Sequence, residues 1–291
     1  MKQALKRLIP ERARLYLRRA NRFRWITKAR VLRASGAGAW EGRPLRKARY
    51  VLWDPEVDTF TYAIANLEEL AAQLALLLDR PASELEAHLA AALDDPELGP
   101  RLSEDIGWRA LFTKRRPPLP SHHLSAWAII RTRKPGLVVE TGILEGLGDR
   151  IMLRALQRNA EEGSPGRLVA FDIMPGSGRA LVPERLRAGW EPIYEPTPQA
   201  FRSHLAGLEV GLFLHDSVQE ADHLRSEVEE ILPRMEANGV LMTVAGWTGV
   251  LEEESARLGG RCQTFHEHPV DHFYSGRTLS WMRLPDRPAN P

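Results

Sequence analysis

From Lys134 onward, short apolar runs alternate with longer amphipathic ones. Leu137-Val138-Val139-Glu140, Leu168-Val169-Ala170-Phe171-Asp172, residues 210–214 and residues 239–244 are continuous apolar stretches of strand length, bounded by Gly, Pro or acids. Such runs read as strands buried on both faces. Between them, residues 147–160, with Ile151, Leu153 and Leu156 on or near one side, and residues 221–232 read as helices. Residues 278–284 add a late strand. Strands alternating with helices predict an α/β fold, a doubly wound and mostly parallel sheet covered on both faces.

Upstream, the pattern is helical. Asn66 with Glu69 precedes an apolar run over 70–78, and Ser83 with Glu86 precedes another over 89–93. Both spacings suit a reciprocal cap of the first turn. Pro81 separates the two helices, and Asp94-Asp95-Pro96 stops the second. A further helix over 121–132 leads into the first strand, with His122 and His123 expected as exposed residues near its start. Residues 50–52 are a short strand candidate, and Lys114-Arg115-Arg116-Pro117-Pro118 reads as a linker. The expected organisation is therefore an N-terminal arm over 1–50, a helical subdomain over 51–117 and an α/β domain over 118–291.

Composition changes this picture in two places. The 291 residues, 43% of them apolar, are ordinary for a globular protein and exclude a disordered or fibrous chain. The single cysteine, Cys262, allows neither an internal disulfide nor a multi-cysteine zinc site, and reads as a packed, unreactive thiol that fits a reducing, cytoplasmic compartment. The apolar run near Leu70 is far shorter than the ~18 residues a membrane span needs. Charge, however, is unevenly spread: residues 1–50 hold 16 Lys/Arg and two acids, the remainder 24 Lys/Arg and 36 acids. A basic arm precedes an acidic body. Its interleaved arginines and apolar residues over 11–33 leave docking on the acidic body and attachment to an anionic membrane surface through Phe23 and Trp25 open. No nucleic-acid-binding motif accompanies the charge. The arm is Arg-rich like an organellar presequence, but lacks the serine enrichment of one and the apolar core of a secretory signal.

Ligands of such sheets bind at the carboxyl ends of the strands. Three acids stand there, Glu140, Asp172 and Asp216, and buried carboxylates need partners. The turn after the first strand reads Gly142-xxx-Gly146-x-Gly148, which is neither a GxGxxG dinucleotide fingerprint nor a P-loop. An acid, a glycine turn and a second acid 32 residues later suit a nucleoside with a free ribose diol and a cationic substituent.

The ordered set Val138-Val139-Glu140-Thr141-Gly142 with Gly146, Phe171-Asp172, Leu212-Phe213-Leu214-His215-Asp216-Ser217, Leu232-Pro233-Arg234-Met235 and Asn238-Gly239-Val240-Leu241 resembles class I S-adenosylmethionine-dependent methyltransferases. Within them it is most similar to bacterial sugar and small-molecule O-methyltransferases, the macrocin O-methyltransferase and cephalosporin-hydroxylase-like group, over roughly residues 120–245; Val182-Pro183-Glu184-Arg185-Leu186-Arg187 with Trp190 adds to that likeness. The resemblance implies a Rossmann-like fold, S-adenosylmethionine as cofactor and a small-molecule acceptor carrying a hydroxyl. It implies that Glu140, Thr141, Gly142 and Gly146 border the methionine part of the cofactor, that Asp172 holds the ribose hydroxyls with Ile173 beside the adenine, and that His215 and Asp216 face cofactor and substrate, one of them as the base.

Three departures qualify it. Metal-using relatives add acids after the next strand, where this chain has Thr243-Val244-Ala245-Gly246, so no Mg²⁺ is expected. The small hydroxyl residues usual after the second glycine are replaced by Gly148-Asp149, and the family's histidine and aromatic after the Asp-Ser pair by Gln219-Glu220-Ala221, which leaves open a silent cofactor-binding protein recruited by its basic arm. Near the end, His266-Glu267-His268 with Asp271 and His272 offers a metal-site or base constellation and is read foremost as a polar loop over the cofactor cleft.

Overall fold

A computed structural model describes residues 63–106, 119–270 and 276–286, all within the compact unit Thr61–Pro291. The basic arm, the strand candidate at 50–52, the linker at 114–118, Asp271, His272 and the last five residues lie outside the described residues.

Seven strands form one sheet: β1 Leu137–Thr141, β2 Arg167–Phe171, β3 Trp190–Ile193, β4 Val210–His215, β5 Met235–Thr243, β6 Arg261–His266 and β7 Thr278–Arg283. Their order is β3-β2-β1-β4-β5-β7-β6. The first five run parallel, and β7 is antiparallel to both neighbours. Winding reverses between β1 and β4, which opens a crevice at the carboxyl edge. The helices are α1 Leu67–Leu78, α2 Ala82–Asp94, α3 Pro100–Ile106, α4 Ser121–Arg133, α5 Leu147–Glu161, α6 Gln199–His204, α7 Ala221–Ile231 and α8 Val250–Leu258. The doubly wound α/β fold expected from the alternation is present. The strands missed by pattern are both edges: β3 contains Glu191-Pro192, and proline is tolerated where the N–H faces outward; β6 buries only Phe265.

The sheet carries a core on each face. One includes Val138, Leu168, Leu212, Leu214 and Val240 with residues of α1, α2, α4 and α5; the other includes Val139, Val169, Phe171, Phe213 and Leu241 with residues of α6, α7 and α8. α1 turns Leu70, Leu74, Leu77 and Leu78 inward at helical spacing, each worth roughly 1.5–3 kcal/mol of burial. The helices expected as a subdomain thus share a core with the sheet, and α4 between them is buried along Ser121–Ile130. An ionic seam fastens this layer: Arg150, fully buried on α5, donates to Glu97 at 2.8 Å and to Asp105 at 2.6 Å, while Arg154 and Arg158 reach Asp95 at 3.1 and 3.0 Å.

The helix starts differ from expectation. Asn66 and Glu69 do pair, but side chain to side chain at 2.8 Å, because the rest of the Asn66 amide bridges to the backbone of His266 and His268. Ser83 is no cap: α2 begins at Ala82 after Pro81, whose fixed φ already suits a helix entry. No helix among the described residues is long and apolar enough to cross a membrane.

Candidate active site

Strand alternation sorts the site residues onto two faces. Glu140 points with Val138 toward α4 and α5, whereas Thr141 and His215 point with Val139 and Phe213 toward α7. Beyond the strand ends the ladder continues, Gly142 N–H to Phe171 O, Asp172 N–H to Ile193 O and Asp216 N–H to Thr141 O, which sets these residues in register at the carboxyl edge.

On the α4 side, carboxyl groups crowd. Glu140 is 2% exposed and Asp149, from the first turn of α5, fully buried. Burial, then the neighbouring Asp149 and Asp216, push the Glu140 carboxyl well above its ordinary range. Burial lifts Asp149 to about 7, opposed by the Trp190 indole N–H that it accepts at 2.7 Å. Burial raises Asp216 to about 6, with Arg277 pulling the other way. Beside Asp216 stand His122 and His123 from the first turn of α4, their rings 3.9 Å apart. They were expected to be exposed; they are 3% and 6% exposed, buried with the rest of α4 from Ser121 to Ile130. Burial drives both imidazoles to the neutral form, His122 well below its usual value and His123 to about 3.

On the α7 side, Glu227 is a hub. It accepts Thr141 Oγ1 at 2.9 Å and His215 Nδ1 at 2.7 Å through one oxygen, and His223 Nε2 at 3.0 Å and the Thr197 hydroxyl through the other. Burial alone would raise this carboxyl, yet the hydrogen bonds from His215 and His223 hold it at about 2. His215 is fully buried, so this candidate base sits beneath the strand end while Asp216, with a side chain 22% exposed, faces the opening.

The opening is built from the turns. Gly142 has φ +97°, and a Cβ there would lie 2.3 Å from Asp216 O. Gly146, at φ +90°, starts α5 where a Cβ would lie 2.7 Å from the Gly178 backbone. No side chain fits either place. Asp172 accepts the Leu144 N–H at 3.0 Å and the Met174 N–H at 2.8 Å, which fixes its carboxylate and leaves each oxygen a further lone pair. Among the described residues, four of the six large apolar residues that stand exposed follow parallel strand ends: Leu144 after β1, Ile173 after β2, Val218 after β4 and Trp247 after β5. A separate cavity of about 400 Å³, lined by Leu232, Met235 and Leu284 among others, lies at the opposite edge and holds none of these groups.

The tail was read as a polar loop. Its Glu267 is instead fully buried and caps α4, accepting Ser121 Oγ at 2.5 Å and Ser121 N–H at 3.2 Å, and it also accepts Arg277 N–H at 3.0 Å. Proline at position 120 cannot supply that cap. Glu227, Glu267 and the two α4 histidines were missed as site residues because no local pattern marks them. Cys262 agrees with its reading, its thiol pushed up to about 12 by burial.

Residues 139–243 match a family model described as a methyltransferase domain. No curated protein matches the chain. Similar solved structures include the O-methyltransferase TomG of Streptomyces achromogenes, in complex with SAM (13% identity, 66% of this chain and 91% of that one, TM-score 0.47). A putative O-methyltransferase from Klebsiella pneumoniae follows at 12% identity, with 70% and 96% covered and a TM-score of 0.48. The O-methyltransferase from Bacillus cereus, in complex with SAH, has 11% identity, 74% and 97% covered and a TM-score of 0.45.

Proposed function

From the match of residues 139–243 to a methyltransferase-domain model, we propose that the protein is an S-adenosylmethionine-dependent O-methyltransferase acting on a hydroxyl of a sugar or other small metabolite. One observation carries this reading: carboxyl groups crowd an opening rimmed by exposed apolar residues. Beyond burial, the charges of Asp149, Asp216 and Asp172 raise the Glu140 carboxyl further, a mutual repulsion that a bound cation relieves. The free lone pairs of Asp172 suit a ribose diol, and Ile173, 69% exposed, offers an apolar face to an adenine. When bound, S-adenosylmethionine supplies an electrophilic methyl carbon on a sulfonium.

This chain's residues then orient and deprotonate the acceptor. Asp216 presents a carboxylate at the opening that is mostly ionised at pH 7 and can take the hydroxyl proton. His215, held below by Glu227, positions the strand end that carries Asp216. Calorimetric titration with S-adenosylmethionine and, separately, NAD tests the cofactor: heat is expected with the first alone, and none with it well above micromolar concentration defeats the reading. Asp216→Asn is expected to keep cofactor binding within a few-fold and to lower turnover by ~100-fold or more, the usual contribution of a positioned base. Cofactor binding without methyl transfer to any hydroxyl acceptor would mark a silent binder instead.

A further inference from the structure

We propose that His122, His123 and Asp216 form a site for one divalent transition-metal ion of the Zn²⁺ or Co²⁺ class at the carboxyl edge of the sheet. One ligand atom from each residue can be chosen so that all three lie within 4.8 Å of one another. His122 Nε2 and Asp216 Oδ2 are 3.7 Å apart, too far for a hydrogen bond and close to the spacing of two atoms that share an ion at ~2.0–2.2 Å from each.

A second observation points to a ligand. Neither imidazole makes a hydrogen bond among the described residues, and His122 Nε2, on a ring only 3% exposed, faces Asp216 without one. Buried polar nitrogens are normally satisfied. The surroundings reserve the space. Glu267 fixes the first turn of α4 through Ser121, and the residue facing His123 is Gly148, where a Cβ would lie 3.4 Å from His123 Nε2. Asp216 turns Oδ2 to His122 while Oδ1 lies 3.9 Å from Arg277.

The donor set chooses the ion. Two imidazoles and one carboxylate suit borderline first-row ions, whereas Mg²⁺ and Ca²⁺ want mainly oxygen. Three protein ligands leave a position open, and the exposure of Asp216 turns it toward the opening. A dication there would make a bound hydroxyl or water more acidic. That role rests on the methyl-transfer reading; metal binding does not.

The test uses the full chain stripped with chelator and titrated with Co²⁺, read by visible absorption and by metal retained after gel filtration. The expected result is about one Co²⁺ per chain, displaced by Zn²⁺ and not by excess Mg²⁺, as the donor set dictates. His123→Ala and Asp216→Asn should each weaken Co²⁺ binding at least ~10-fold and change its spectrum, and the His266→Ala/His268→Ala double variant should not. Should His123→Ala fail to fold, His123→Gln with an unchanged circular dichroism spectrum takes its place. Failure of the wild type to retain Co²⁺, or retention undiminished in the His123 and Asp216 variants, overturns the proposal. S-adenosylmethionine titration of the same preparation separates the two readings: Co²⁺ bound without cofactor binding sinks the methyltransferase reading and leaves the metal site standing.

Discussion

Glu227 shows how much one side chain can organise. It lies far along the chain from Thr141, yet its two oxygens hold Thr141, Thr197, His215 and His223 together beneath the strand ends. Its folded value of about 2 lies below the ordinary 4.5. Its contribution to stability is therefore fully present above pH 4.5 and lost as pH falls from there toward 2; a difference of that size corresponds to ~3 kcal/mol. Urea unfolding of the wild type and Glu227→Gln across this window should show the wild type losing more stability than the variant on acidification. Parallel pH dependence in the two would refute the assignment.

At the scale of elements, packing overrules local pattern. Asp94-Asp95-Pro96 reads as a helix stop, and α2 does end at Asp94. That reading gave no sign that Asp95 and Glu97 are buried partners of α5. Glu97→Ala leaves Arg150 short of a carboxylate at 0% exposure, and breaking a buried pair from one side should cost ~3 kcal/mol in denaturant unfolding. The Glu97→Leu/Arg150→Met double variant should lose less than the two single losses combined. Additive losses would show that the two residues act independently. β3 and β6 teach the same lesson from the other side. Edge strands need little burial, so their sequences, with Glu191-Pro192 in one and a lone Phe265 in the other, lack the apolar run that revealed β1, β2 and β4.

For the whole molecule, the ligand is part of the stability. A cofactor that binds only the folded state at a hundred times its dissociation constant adds ~2.7 kcal/mol. S-adenosylmethionine should therefore raise the thermal midpoint by several degrees where NAD does not, and an unmoved midpoint would contradict the proposed occupancy of the carboxyl edge.

What the sequence determined by itself is the scaffold and the strand-end acids. Continuous apolar runs between amphipathic helices bury both faces in a parallel sheet covered by helices, and Glu140, Asp172 and Asp216 then fall at its carboxyl edge by counting along each strand. The glycine turn was equally legible, since Gly142 and Gly146 occupy backbone conformations that other residues rarely adopt. What only the tertiary structure decided is the environment of the charged groups. Glu267 reaches α4 across 146 residues, Glu227 reaches Thr141 across 86, and the fold buries the histidines that a helix start would otherwise leave in water. Burial and partnership set whether a carboxyl or imidazole is charged, and both depend on residues brought together from distant parts of the chain.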